Sequence, residues 1–305
     1  MRTIAHPGLT DPQRLFAIPT RVRPIQATVS CGLTLLEAIT EVADRFKVKS
    51  GAFRLNAGSF TTFSYVMPAL SKSPDHAVYF SDTYEVAGEI ELETASVTFG
   101  QRNGQPWLHC HAVWIEPSGR RHCGHLLPDQ VIVSQPMSLS GVGLIDAAFS
   151  VTPDAETHFS LFVPKAISDD FAVGVHPDAN SHQAYAIRLA PNQDISHTLE
   201  SFCRSLGIKS AEIHGGVGST VGAVFQDGRV VEPFVTELLI RSGRIHTSTV
   251  DQPCAEIDIA MVDYQGGISE GRLAAGANPV LVTAELVLCP TFIPNVSDHP
   301  TTAHA

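Results

Sequence analysis

The sequence predicts an α+β fold built twice: two similar domains, each a mostly antiparallel sheet with one main packed helix. Three observations predict it. Two ungapped stretches recur in the same order within the 305 residues. Each copy opens on an amphipathic helical pattern, and each continues as short strand-like runs broken by turn residues.

The repeat comes first because it sets the number of units. At a constant offset of 160, "VADRFKVKSGAFRLNAGSFTTFSYV" (42–66) lies on "FCRSLGIKSAEIHGGVGSTVGAVF" (202–225), pairing Lys49-Ser50 with Lys209-Ser210 and Gly58-Ser59 with Gly218-Ser219. At an offset of 147, "LHCHAVWIEPSGRRHCGHL" (108–126) lies on "AEIDIAMVDYQGGISEGRL" (255–273), pairing Gly119 with Gly266 and Gly124 with Gly271. The second copy is thus 13 residues shorter between the two blocks. This divides the chain into a first unit over 1–145, a connecting segment over 146–182 that matches neither copy, a degenerate second unit over 183–290, and a tail over 291–305.

Within the first unit, "TLLEAITEVADRF" places Thr34 three residues before Glu37, a capping-box pattern. Leu35, Leu36, Ile39, Val42, Ala43 and Phe46 follow at helical spacing. The second unit repeats the stripe with Leu199, Phe202, Cys203 and Leu206. A strand comes next in each, then a Gly-Ser pair suited to a tight turn or a close backbone approach. Strands separated by "RNGQP", "EPSG" and "YQGG" complete the plan.

Composition narrows the function. Apolar residues make up 44% and charged residues 17%, as in an ordinary globular protein. No apolar run reaches the roughly 18 residues of a membrane span, and the N-terminus lacks the apolar core of a secretory signal. Six cysteines without a CxxC or framework spacing suit a reducing cytoplasm. The formal charge of −11, without Lys/Arg runs, weighs against nucleic acid, whose binding draws on cations that displace counterions.

The chemistry concentrates in residues 108–126, which hold four of the 14 histidines. On a strand, alternate side chains share a face, so His109 and His111 point one way and Leu108, Cys110 and Ala112 the other. The "EPSG" turn lets "RRHCGHL" return alongside and bring His125 opposite the pair, with His122 out of phase. Three imidazoles from two adjacent strands can occupy three corners of a zinc tetrahedron, leaving one for water or substrate. The alternative is cross-strand packing or a satisfied polar pair. In the second copy the same positions are Glu256, Asp258 and Arg272. Arginine does not ordinarily ligate a metal, so a salt-bridged remnant is expected there.

The stretch "GEIELETASVTFGQRNGQPWLHCHAVWIEPSGRRHCGHLL" resembles the core of the PPC (plants and prokaryotes conserved) domain, also called DUF296. The family pattern is a Glu-Ile strand, an HxH strand and a "GGHL" return, for which this chain has "CGHL". The resemblance spans roughly 21–145 and, in degenerate form, 183–290. It implies the same α+β plan, homo-oligomers that include trimers, and His109, His111 and His125 as ligands of a metal, zinc first. Plant members carry an "RGRP"-type AT-hook for DNA; this sequence has none.

These readings converge on a zinc-dependent hydrolase or lyase acting on a small, anionic, carboxylated metabolite. Three imidazoles would leave zinc free to lower the pKa of water to about 7 and polarise a carbonyl. Glu89, at the family's Glu-Ile position and on one strand face with Glu91 and Glu93, is the expected base. Arg21, Arg23 and Arg54 are the expected carboxylate clamps, with Asn56 sharing a strand face with Arg54. Two other readings compete: a non-catalytic, metal-stabilised regulatory or DNA-associated module, and a metabolite-binding protein without turnover. A carboxylate beside an open site favours the enzyme; a fourth protein ligand favours binding alone.

Overall fold

The computed structural model describes residues 1–167, 182–247 and 252–291. The first copy contains β1 (Leu15–Val29), α1 (Leu35–Arg45), β2 (Gly51–Asn56), β3 (Ser59–Val66), β4 (Pro68–Leu70) and β5 (Val78–Phe80). It continues through β6 (Tyr84–Arg102), β7 (Gln105–Ile115), β8 (Arg121–Leu126), β9 (Ile132–Gln135) and β10 (Met137–Leu144). A hairpin of β11 (Ala147–Pro153) and β12 (Ser160–Ala166) follows. The second copy contains β13 (His182–Leu189), α2 (Ile195–Ser205), β14 (Ala211–Val224), β15 (Val230–Thr247), β16 (Pro253–Asp263), β17 (Ile268–Arg272) and β18 (Val280–Pro290).

Local signals formed the helices as their sequences predict. Thr34 accepts from the Glu37 amide, and the Glu37 carboxylate reaches back to the Thr34 amide, completing the capping box. Asp194 caps α2 by accepting from the His197 amide. The C-cap of each helix, Phe46 and Leu206, is followed directly by a left-handed position, Lys47 (φ 54°) in the first copy and Gly207 (φ 68°) in the second. Leu206, expected in the apolar stripe of α2, is instead its C-cap and 48% exposed.

The strand order is β17-β16-β15-β14-β18-β13-β1-β10-β2-β6-β7-β8-β3-β9. Read outward from the β13–β1 pair, both directions pass equivalent strands of the two copies. The copies therefore meet about a pseudo-two-fold at that antiparallel pair, where Ile18 lies opposite Ala186. Apart from the separate β4–β5 pair, the described strands of both copies join in one sheet, because β1 and β13 offer each other their free edges. The Gly-Ser pairs also diverge. Ala57 and Gly58 (φ 58° and 86°) turn the chain between β2 and β3, whereas Gly218 and Ser219 sit within unbroken β14, beside a register shift.

Apolar residues explain how the faces pack. On β7, Leu108, Cys110, Ala112 and Trp114 join Leu35, Ile39 and Val42 of α1 in the first core. On β16, Ile257, Ile259 and Met261 join Ile195 and Leu199 of α2 in the second. The opposite faces meet each other: Val113 and Cys123 of the first copy pack on Leu239, Ala260 and Val262 of the second. Each copy thus covers its half of the sheet with a helix on one side and the other copy on the second. Of the expected connecting segment, residues 147–166 form the β11–β12 hairpin; residues 168–181 and the tail from 292 lie outside the described residues. No described helix is long and apolar enough to cross a membrane.

Candidate metal centre

The face of β7 that meets the second copy carries Trp107, His109, His111 and Val113, because the strand alternates. β8 pairs with β7 in the register His111↔His125, which sets the third imidazole beside the first two. The ligand nitrogens of His109, His111 and His125 all lie within 4.8 Å of one another. The expected convergence is therefore present, and His122 is excluded from it: its ring stacks on Trp114 and its Nε2 lies 3.1 Å from Glu116.

Hydrogen bonding orients two of the rings. His111 Nδ1 lies 2.7 Å from the Leu238 carbonyl, which only accepts, so Nδ1 carries the proton and Nε2 the lone pair. His109 Nδ1 lies 3.1 Å from Glu285 Oε2, and where it donates to that oxygen its Nε2 carries the lone pair. The two Nε2 atoms then face each other with lone pairs at 3.0 Å. That contact is repulsive without a cation between them, and close to the ~3.3 Å ligand–ligand edge of a zinc tetrahedron. His125 Nδ1 is buried without a partner. Burial first, then the neighbouring imidazoles, holds His111 and His125 well below the ordinary histidine range, so both are neutral ligands. The donor set and its orphaned atoms fit a metal ion.

The second copy completes the site. Glu237 of β15 places Oε1 3.8 Å from His111 Nε2 and 3.9 Å from His125 Nδ1. Burial pushes its carboxyl up to about 8, and its Oε2 has no hydrogen-bond partner. Glu285 of β18 is 1% exposed and leaves Oε1 equally unpartnered. Leu238, which fixes His111, is also from β15. Glu237, Glu285 and the three histidines border a cavity of 590 Å³ whose other walls include Phe80, Trp107, Phe159 and Leu281.

The remaining expected site residues lie elsewhere. Glu89 is exposed, accepts from Ser59 Oγ (2.6 Å) and Gln135 Nε2 (2.9 Å), and is held below the usual carboxylate range by those bonds. It is a surface anion outside the histidine cavity. Arg21 is committed to Asp146 through Nε and Nη2, at 2.9 and 2.5 Å. Arg23 donates to the Phe46 carbonyl, and Asn56 accepts from Thr94 Oγ1. Arg54 donates to the Ile240 carbonyl and lines a different cavity, of 880 Å³, together with Glu256, Asp258 and Arg272. That trio is salt-bridged as expected, at 3.2 and 3.3 Å, in the same Asp258↔Arg272 register that joins His111 to His125.

Sequence reasoning missed Glu237 and Glu285. By strand register Glu237 opposes Val262 as Glu91 opposes Ile115, so Glu237 holds in the second copy the strand position that Glu91 holds in the first. A signal did exist. Each is a single carboxylate inside an apolar run, "PFVTELLI" and "LVTAELVLC", where an unpaired charge is costly.

Comparison with known proteins identifies the same two copies. The profile of the Plants and Prokaryotes Conserved (PCC) domain matches residues 17–140 and 177–291, one match for each copy. A plant- and prokaryote-conserved (PPC) protein of Pyrococcus horikoshii is similar at 14% identity, over 49% of this chain and 97% of its own, with a TM-score of 0.39. A metal-containing protein of Archaeoglobus fulgidus is similar at 15%, over 46% and 93%, with a TM-score of 0.37. A candidate DNA-binding protein of Ralstonia eutropha JMP134 is similar at 15%, over 45% and 88%, with a TM-score of 0.35. No curated protein matches. The chain belongs to the Plants and Prokaryotes Conserved (PCC) domain family, which it carries twice in tandem.

Proposed function

We propose that this protein is a zinc-dependent hydrolase or lyase acting on a small carboxylated metabolite, with one active centre per chain. The observation that carries the reading is the convergence of three imidazoles with a buried carboxylate, Glu237, on one cavity. Zinc at the trio would acidify water and polarise a carbonyl. His109, His111 and His125 hold the ion, with Glu285 and the Leu238 carbonyl orienting the first two. Glu237 is the proton carrier. Its carboxylate lies beside the ligand nitrogens, and its raised pKa suits a group that gains and returns a proton near neutrality.

The metabolite-binding reading would gain from a fourth protein ligand, but the cluster of mutually close donors comprises the three histidines alone among the described residues. The DNA-associated reading would need a cationic face, which a chain of net charge −11 does not favour. Cytoplasmic residence and a homo-oligomeric, trimeric state belong to the same proposal.

Metal content of tag-free protein tests the reading, beside His109→Ala/His111→Ala and Glu237→Gln. About one zinc per chain is expected, lost in the double variant and kept in Glu237→Gln. Turnover in screens of small lactones, amides and carboxylates should fall about 100-fold or more in Glu237→Gln. Absence of metal from wild type after zinc is added back refutes the reading.

A further inference from the structure

The cavity beside the histidines has a directional lining that the metal chemistry does not account for. An aromatic wall runs away from the trio. The Phe80 ring lies 5.3 Å from His125, Phe159 lies 5.8 Å from Phe80, and Tyr79 stacks on Phe159 at 5.8 Å and 26°. Tyr79, 49% exposed, marks the outer end. Trp107, also in the lining, shares a face of β7 with His109, two residues or about 7 Å away. Over the Trp107 ring, at 5.2 Å, sits the guanidinium of Arg102. Arg102 is the one Arg or Lys among the described residues that line this cavity, and its partner is that ring: it makes no ion pair or hydrogen bond with any described residue.

We propose that Arg102 anchors the carboxylate of an aromatic carboxylate substrate, with the ring on the Phe80–Phe159 wall and the reacting carbonyl at the histidine trio. The inference rests on the metal-centre reading for the carbonyl end only. A guanidinium held flat on an indole keeps its edge donors free, and that edge matches the two oxygens of a carboxylate. The wall supplies flat apolar contact over one ring, and the β7 spacing sets about 7 Å or more between the two polar ends. Arg102 takes the role that Arg21, Arg23 and Arg54 were expected to fill. Those three bond to other parts of the chain and lie off the cavity.

The test is titration calorimetry of full-length protein with 3-phenylpropanoate, its neutral amide 3-phenylpropanamide, and butanoate. Each is run on zinc-loaded and chelator-treated protein, in wild type and Arg102→Gln. Wild type is expected to prefer the carboxylate over the amide by about tenfold, with the preference falling to about twofold or less in Arg102→Gln. Butanoate should bind at least about tenfold more weakly than 3-phenylpropanoate. An equal affinity for acid and amide overturns the proposal. So does a preference that Arg102→Gln leaves intact, equal binding of butanoate, or no saturable binding at millimolar concentration. The chelator arm separates the two readings. A preference that survives chelation upholds the anchor even if the protein holds no zinc. Bound zinc without Arg102-dependent preference leaves the metal centre standing and removes the anchor.

Discussion

Removing Glu285 tests whether the second copy is part of the metal centre. This carboxylate follows His109 by 176 residues, is 1% exposed, and meets His109 Nδ1 at 3.1 Å. An outer partner of this kind fixes the tautomer and the orientation of a ligating imidazole, and its loss weakens metal binding about 10- to 100-fold, or about 1.4 to 2.7 kcal/mol. Glu285→Gln keeps an acceptor and removes the charge, so it belongs at the lower end. Glu285→Ala removes both and belongs at the upper end. The metal-free protein should respond in the opposite sense. Glu285 Oε1 is buried without a partner, so replacing the charge by an amide relieves desolvation and leaves the apo-protein's melting temperature unchanged or raised. The assay is competition for zinc against a chromogenic chelator, with thermal unfolding of the apo-proteins alongside. A folded Glu285→Ala protein whose zinc affinity stays within about twofold of wild type would refute the reasoning, since β7 alone would then position His109.

Other consequences follow from particular contacts. Arg21→Ala breaks a bridge to Asp146 whose two side chains are about one-third exposed, so it should cost no more than about 1 kcal/mol in urea unfolding. The same variant should leave zinc content unchanged; lost metal would return Arg21 to the site. Trp114 is fully buried against Phe63, Tyr65 and His122, and Trp114→Ala should cost about 3–5 kcal/mol in the same assay. Arg121 ties the copies together through Glu93 (2.6 Å) and Glu270 (2.8 Å), and its hydrogen bonds hold the Glu270 carboxyl below 4.5. Because the unfolded chain protonates first, that contribution is complete above pH 4.5 and is lost as the pH falls through the depressed folded value. Unfolding midpoints across acid pH should therefore fall less steeply in Arg121→Met than in wild type; parallel curves would show that the pair is not coupled to folding.

Much of the site was legible because its rules are local. Strand alternation alone puts His109 and His111 on one face and Cys110 on the other, and the "EPSG" turn sets the return that brings His125 into register. Thr34 and Glu37 define a helix start within four residues, and the paired Gly119/Gly266 and Gly124/Gly271 positions disclose the duplication. The salt-bridged Glu256–Asp258–Arg272 trio could be foreseen from the same offset. What these patterns cannot say is which face meets which. Glu89 and the clamps Arg21, Arg23 and Arg54 were chosen by charge and position along the chain, but free carbonyls and carboxylates nearby in space, such as Phe46 O and Asp146, claim them first.

Sequence by itself determined the three imidazoles, the two helices, the two copies and which copy lacks a ligand set, since each depends on residue type and short-range period. Only the tertiary structure decided that β1 and β13 join the copies in one sheet. That pairing sets the helix-free faces against each other and delivers Glu237, Glu285 and the Leu238 carbonyl to histidines more than a hundred residues away. The physical reason is that burial of an apolar face specifies that it must be covered, whereas the covering surface is selected by the long-range fit of Val113 and Cys123 against Leu239, Ala260 and Val262.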